Sequence, residues 1–182
     1  MAHADAGFEI PNVRLMYREG DELPEGGGCP IGGTWVEKHT GDMFRDKRVV
    51  VFSLPGAFTP TCSSQQVPGF EAQYDNILSK GIDEIYVSAV NDGFVMNAWA
   101  ADLGISKVKV IPDGNGELAD AVGMMSDFSA VGFGRRSLRF AMVINDRVIE
   151  RMFVEPAATD ADPDPYGESS PEKVIEYLDS VA

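Results

Sequence analysis

Cysteine and histidine are scarce: the 182-residue chain holds two of each, Cys29, Cys62, His3 and His39. Two thiols cannot build the disulfide framework of a small secreted domain. None of the four stands at metal-ligand spacing, so no metal site and no cofactor are expected. Basic residues are also few, 15 against 29 acidic, for a net charge of −14. The lack of a cationic face argues against nucleic acid and anionic membrane surfaces as partners. No run approaches eighteen apolar residues, which excludes a membrane-spanning helix. The opening "MAHADAGFEIPN" has neither a basic region nor an apolar core, so no signal peptide is expected. A soluble, cytoplasmic protein is the expectation these absences leave.

What is present is globular: 44% of residues are apolar and 24% charged, enough for one domain over residues 1–182. Residues 1–33 read as an irregular N-terminal extension, ending in the turn-rich "ELPEGGGCPIGG". Its glycines are followed by no Gly-Lys-Ser/Thr and open no helix, so they form no phosphate loop. "TWVEKHTGDMF" reads as a short strand and turn. Val49–Leu54 is a continuous β-branched and apolar run, hence a strand buried on both faces. Phe70, Tyr74, Ile77 and Leu78 recur at helical spacing up to Gly81. Strands follow over Glu84–Val90 and Lys107–Ile111, with helices over Phe94–Leu103, started by Asn91-Asp92, and Glu117–Met124. Leu138–Ile144 and Arg147–Val154 form a hairpin across Asn145-Asp146. A final helix starts at Pro171. This order predicts an α/β fold of thioredoxin-like type, a mixed central sheet flanked by helices on both faces.

"DADPDPYGESSPE" places Asp160, Asp162 and Asp164 like the first ligands of a calcium loop. Pro165 then replaces the required glycine and Pro171 the bidentate Glu, which leaves a solvated acidic loop.

The chemistry concentrates in "VVVFSLPGAFTPTCSSQQVPGF". The buried strand ends at Pro55, and a helix begins near Thr61-Cys62-Ser63. Cys62 thus lies in a first helical turn, where unpaired N–H groups and the dipole favour a thiolate, the nucleophilic form. Pro55 and Pro60 restrict the loop to one shape. Thr59, three residues before Cys62, brings a hydroxyl that can donate and accept close to the sulfur. Cysteine is often simply buried, but position and proline framing together favour reaction. The order C-S-S lacks a second thiol, since neither Ser63 nor Ser64 can resolve a mixed disulfide, so a dithiol exchanger is disfavoured. Arg139, alternating with Leu138 and Phe140, is read as mid-strand and in need of a partner. Arg135 and Arg136 are read as cations of the preceding loop.

Pro55, Thr59 and Cys62 spell P-x-x-x-T-x-x-C, the peroxiredoxin active-site motif. "PGAFTPTCSSQQVPGF", "VSAVNDGFVMNAWA", "VIPDGNGELADAVGM" and "GFGRRSLRFAMVINDRVIERMFVEP" resemble type-five peroxiredoxins in order, over about residues 34–182. The likeness extends in particular to the peroxiredoxin half of bacterial peroxiredoxin–glutaredoxin hybrids. The resemblance implies a thiol peroxidase reducing hydrogen peroxide and small alkyl hydroperoxides through a cysteine sulfenic acid. It implies Cys62 as the peroxidatic cysteine, Thr59 as holder of the peroxide oxygen, Pro55 as a shield against water and Arg139 as the activating arginine. It further implies a homodimer, with glutathione, glutaredoxin or thioredoxin as reductant.

The chain departs from many type-five relatives by having no cysteine after "VEP", and no glutaredoxin segment follows. Cys29 is then an incidental loop thiol or, as an alternative, a resolving cysteine given mobility by Gly26-Gly27-Gly28. A cysteine hydrolase with His39 as base is a rival reading, weakened by the lack of a third orienting group. A peroxide sensor or holdase without turnover is another.

Overall fold

Val49, Val50, Val51 and Phe52 expose no surface, because strand β3 (Arg48–Ser53) runs through the centre of a five-stranded sheet. The computed structural model describes residues 3–22, 24–25 and 29–182. On one side β3 pairs in parallel with β4 (Glu84–Ala89), which pairs in parallel with β5 (Lys109–Pro112). On the other it pairs antiparallel with β8 (Phe140–Asn145), and β8 with the edge strand β9 (Val148–Val154). The sheet is therefore mixed, with β3 at the parallel–antiparallel boundary. The β8–β9 turn is made by Asp146 and Arg147, both at positive φ (44° and 71°), one residue later than the sequence suggests. That is the twist a two-residue hairpin demands.

Alternation along the strands divides the core in two. Val50, Phe52, Val87, Ala141 and Val143 face one layer, with Phe70 of α2 (Val67–Ala72), Ile77 of α3 (Tyr74–Leu78), Trp99 of α4 (Gly93–Leu103) and Leu178 of α6 (Pro171–Ser180). Val49, Val51, Met142 and Ile144 face the other, with Phe44 just after α1 (Thr40–Met43) and Leu118 of α5 (Glu117–Ala121). Asp92 caps α4, its Oδ1 accepting from the Phe94 and Val95 amides at 2.9 and 3.1 Å. Ser170 caps α6 in the same way, with Pro171 at the first turn.

The N-terminal extension is not irregular. Arg14–Glu19 forms strand β1, paired antiparallel with β2 (Thr34–His39) from Arg14↔His39 to Glu19↔Thr34. Val13, Leu15 and Tyr17 are buried in the second layer, so period-two burial closes that face of the sheet. Arg135 and Arg136 likewise belong not to a loop but to β7 (Arg135–Ser137), paired with β6 (Met125–Asp127). The Gly26-Gly27-Gly28 run lies outside the described residues.

Asp113, just past β5, is almost fully buried, and its carboxylate accepts from the Leu118 and Ala119 amides at 3.0 and 2.9 Å, fixing the start of α5. Burial pushes its pKa from 3.8 up to about 6, against the opposing effect of those amides. Between these values the native state holds a proton that the unfolded chain has lost, so stability falls as pH rises through that window. The unfolding free energy of the wild type relative to Asp113→Asn should therefore fall from about pH 4 to pH 6 and stay level above it. A flat difference across denaturant titrations at those pH values would show that Asp113 ionises as an ordinary carboxyl.

Candidate active site

The chain leaves β3 through Leu54 and turns at Pro55. The loop is tied down at Ala57, whose amide donates to Asn91 Oδ1 (3.0 Å) at the end of β4. Phe58 sits at φ 61° with its side chain 55% exposed. A bulky residue in the left-handed region is strained, and such strain persists only where surrounding contacts impose it. Helical backbone then starts at Pro60. The turn Cys62–Gln66 is widened to π form, the Val67 amide reaching back to Cys62 O. Pro68, which lacks an N–H and crowds the carbonyl four residues earlier, is a local reason for that widening.

Cys62 is thus in the first turns of this helix, as its sequence setting suggests, and it is fully buried. Behind it Phe52 and Phe70 stack with centroids 4.0 Å apart, and Trp99 Nε1 donates to the neighbouring Ser63 hydroxyl at 3.0 Å. The Thr59 hydroxyl does not bond the sulfur; it donates to Gly56 O at 2.8 Å. That bond fixes the rotamer and turns the oxygen's lone pairs to whatever approaches. Pro55 is half-buried and lines, with Arg139, a cavity of about 450 Å³.

Arg139 is not mid-strand. It occupies the bend between β7 and β8, one residue before the strand begins. Its side chain still lies on the face opposite Phe140, and only 3% of it is exposed. Nη1 donates to Cys62 Sγ at 3.4 Å and to Gln66 Oε1 at 2.7 Å; Nη2 donates to Asp164 Oδ1 at 2.6 Å. Nε is buried and has no hydrogen-bond partner among the described residues. Burial alone would lower the guanidinium's pKa, but the Cys62 sulfur and the Asp164 carboxylate together raise it above its ordinary value, so the cation is permanent. The Tyr166 ring lies 5.9 Å from the guanidinium carbon, its phenol pushed up to about 12, chiefly by burial.

Three of these groups escape a reading of the motif alone. Gln66 is one helical turn beyond Cys62, a spacing that could have marked it. Asp164 belongs to the acidic loop and has no local signal of its role. Arg136 reaches across from β7 to donate to Val90 O (3.3 Å) and Phe133 O (3.0 Å), and a Cβ on Gly56 would stand 3.2 Å from its Nη1. His39 bonds Glu37 at 2.9 Å, on the surface strand β2. No cluster of three or more potential metal ligands occurs among the described residues. Nor is any of their helices long and apolar enough to cross a membrane.

A buried thiol, a permanent cation against it and a constrained loop between strand and helix make an arrangement suited to nucleophilic sulfur chemistry. Known proteins agree. The Redoxin family model matches residues 18–168. Peroxiredoxin y4vD of Sinorhizobium fredii is 48% identical over 93% of this chain and 89% of its own. The hybrid peroxiredoxin hyPrx5 of Haemophilus influenzae is 40% identical over 94% of this chain and 65% of its own. The crystal structure of reduced Prx3 in complex with hydrogen peroxide from Vibrio vulnificus superposes with a TM-score of 0.81, at 31% identity, covering 98% of this chain and 96% of that one. The chain belongs to the redoxin family, within it to the peroxiredoxins, and is a thiol-dependent peroxidase with the thioredoxin-like fold.

Proposed function

We propose that Cys62 is the peroxidatic cysteine, assisted by Arg139, Thr59 and Pro55, and that the protein reduces hydrogen peroxide and small alkyl hydroperoxides. The observation that carries this reading is the Arg139 guanidinium 3.4 Å from a fully buried sulfur, with its Nε still unpaired. A buried donor without a partner is costly, and a peroxide oxygen held beside the sulfur would supply one. The complex of the Vibrio vulnificus neighbour with hydrogen peroxide supports the same substrate here.

In the reaction the Cys62 thiolate attacks one peroxide oxygen. The S–O bond forms as the O–O bond breaks, and the leaving oxygen takes a proton and departs as water or alcohol. Sulfur is oxidised to the sulfenic acid by the two electrons the peroxide gains. Negative charge moves from sulfur onto the peroxide oxygens, where Arg139 and the helix N-terminus face it. Thr59, its proton committed to Gly56 O, accepts from the peroxide O–H and orients it. Pro55, at the cavity wall, keeps water from the developing charge.

Regeneration is assigned to an external thiol, glutathione with a glutaredoxin, or thioredoxin as the second choice. One thiol condenses with the sulfenic acid, releasing water, and another clears the mixed disulfide. Cys29 is exposed and Cys62 buried, and both are unpaired. Pro30, next to Cys29, shares a cavity wall with Phe94, Ala98 and Ala101 on the outer side of α4, while the inner side carries Trp99 to Ser63. Pro30 thus lies against the face of α4 away from Trp99, and an exposed Cys29 beside it favours one-cysteine chemistry. A reducing compartment, the cytoplasm, suits it. A homodimer is supported by apolar side chains exposed near the site loop, Phe58 at 55%, Val131 at 67% and Phe133 at 40%.

Cys62→Ser should abolish peroxide consumption in a steady-state assay run with glutathione–glutaredoxin and thioredoxin systems side by side. Turnover above about one per cent of wild type would remove Cys62 from the nucleophile's place. Thr59→Val, nearly isosteric, should lower the peroxide rate by about 10²-fold or more; an unchanged rate would leave Thr59 a packing residue. Intact mass spectrometry after peroxide treatment without reductant should show oxygen added at Cys62. A stoichiometric loss of two hydrogens would instead assign Cys29 as resolver.

A further inference from the structure

The acidic loop between β9 and α6 is held much more firmly than a solvated connection needs. Glu155 closes its two ends: its carboxylate accepts from the amides of Gly167, Glu168 and Ser169 at 2.9, 3.2 and 2.7 Å, and from the Ser169 hydroxyl at 2.7 Å. Ser169 Oγ also accepts from Gln66 Nε2 at 3.3 Å, and Gln66 Oε1 holds Arg139. From the middle of the closed loop Asp164 comes down on Arg139 Nη2, while its own side chain remains 45% exposed. Tyr166 and Pro165 lie to the same side.

Gln66 and Asp164 therefore grip the guanidinium at its two terminal nitrogens, leaving Nε and a share of Nη1 for the sulfur and its substrate. The two grips are not equivalent. Gln66 is neutral, whereas Asp164 brings a negative charge to a cation that is 3% exposed. When peroxide converts the Cys62 thiolate to a sulfenic acid, the sulfur no longer offers Arg139 a full negative charge. A buried cation left uncompensated is strongly unfavourable, so without Asp164 the arginine would tend to leave the site after each oxidation.

We propose that Asp164 is a positioning residue for the peroxidase reaction. Its carboxylate fixes the Arg139 fork in the geometry that meets the peroxide, and it compensates the buried cation when Cys62 is uncharged. The inference rests on the reading of Cys62 and Arg139 given above. Asp164 has a cost as well as a use, because its charge competes with the sulfur for the same guanidinium. That opposition separates positioning from mere support of the fold. Loss of Asp164 should slow the step that needs an oriented arginine without slowing a step that needs only the thiolate.

The test measures two second-order rates at Cys62 of the full chain, with hydrogen peroxide and with iodoacetamide, in wild type, Asp164→Ala and Asp164→Asn. Positioning errors of this kind cost about 10- to 100-fold, and that loss is expected for peroxide in Asp164→Ala, with iodoacetamide alkylation as fast as wild type or faster. Asp164→Asn keeps the accepting oxygen and the shape, so its peroxide rate should fall between the two; it also carries the test if the alanine variant folds poorly. Peroxide rates within two-fold of wild type in both variants, or alkylation falling in parallel with peroxide reaction, would overturn the proposal. A wild type whose Cys62 is not oxidised by peroxide would instead remove the underlying reading.

Discussion

The site is organised by a single buried cation. Arg139 sits in the apolar layer between sheet and helices, with 3% of its side chain exposed, where a lone charge cannot stay without partners. It finds a sulfur, an amide oxygen and a carboxylate on two different elements: the π turn of Cys62 and Gln66, and the loop bearing Asp164. The central position of β3 makes this meeting possible. Its C-terminal end leads into the helix that carries Cys62, and its antiparallel neighbour β8 begins one residue after Arg139. One strand boundary thus brings together residues 77 positions apart.

Much of this arrangement is legible in the chain. A β-branched run bounded by Pro55 can only be a fully buried strand, and a thiol just past Thr59-Pro60 falls in a helix's first turns, so strand, loop and Cys62 follow from local rules. Arg139 is partly legible. Alternation with Phe140 gives the correct face, but not that the residue precedes the strand, because Leu138 is apolar and extends the pattern though it is 37% exposed. The signal for strand β1 lies in Leu15 and Tyr17, with Val13 just before it; Met16, apolar among the outward residues, blurs the alternation.

Asp164 is the opposite case. Nothing near it in sequence distinguishes it from Asp160 or Asp162; what does is the path of the loop, closed by Glu155 on the amides of residues 167–169. A long-range pairing of one acidic side chain has no periodicity to betray it. The short pair of β6 and β7 is hidden for a related reason, since each strand has three residues and strand patterns need more length than that to declare themselves.

On the proposed reading, Arg139 acts on the Cys62 sulfur through charge together with the geometry of its fork. The direct measurement is the rate of Cys62 oxidation by hydrogen peroxide at neutral pH, followed by stopped flow in wild type, Arg139→Lys and Arg139→Met. Lysine keeps the charge and loses the fork, and methionine loses both, so a partial defect is expected for the first and a loss of about 10²-fold or more for the second. Equal rates for Arg139→Met and wild type, with both proteins folded, would contradict it.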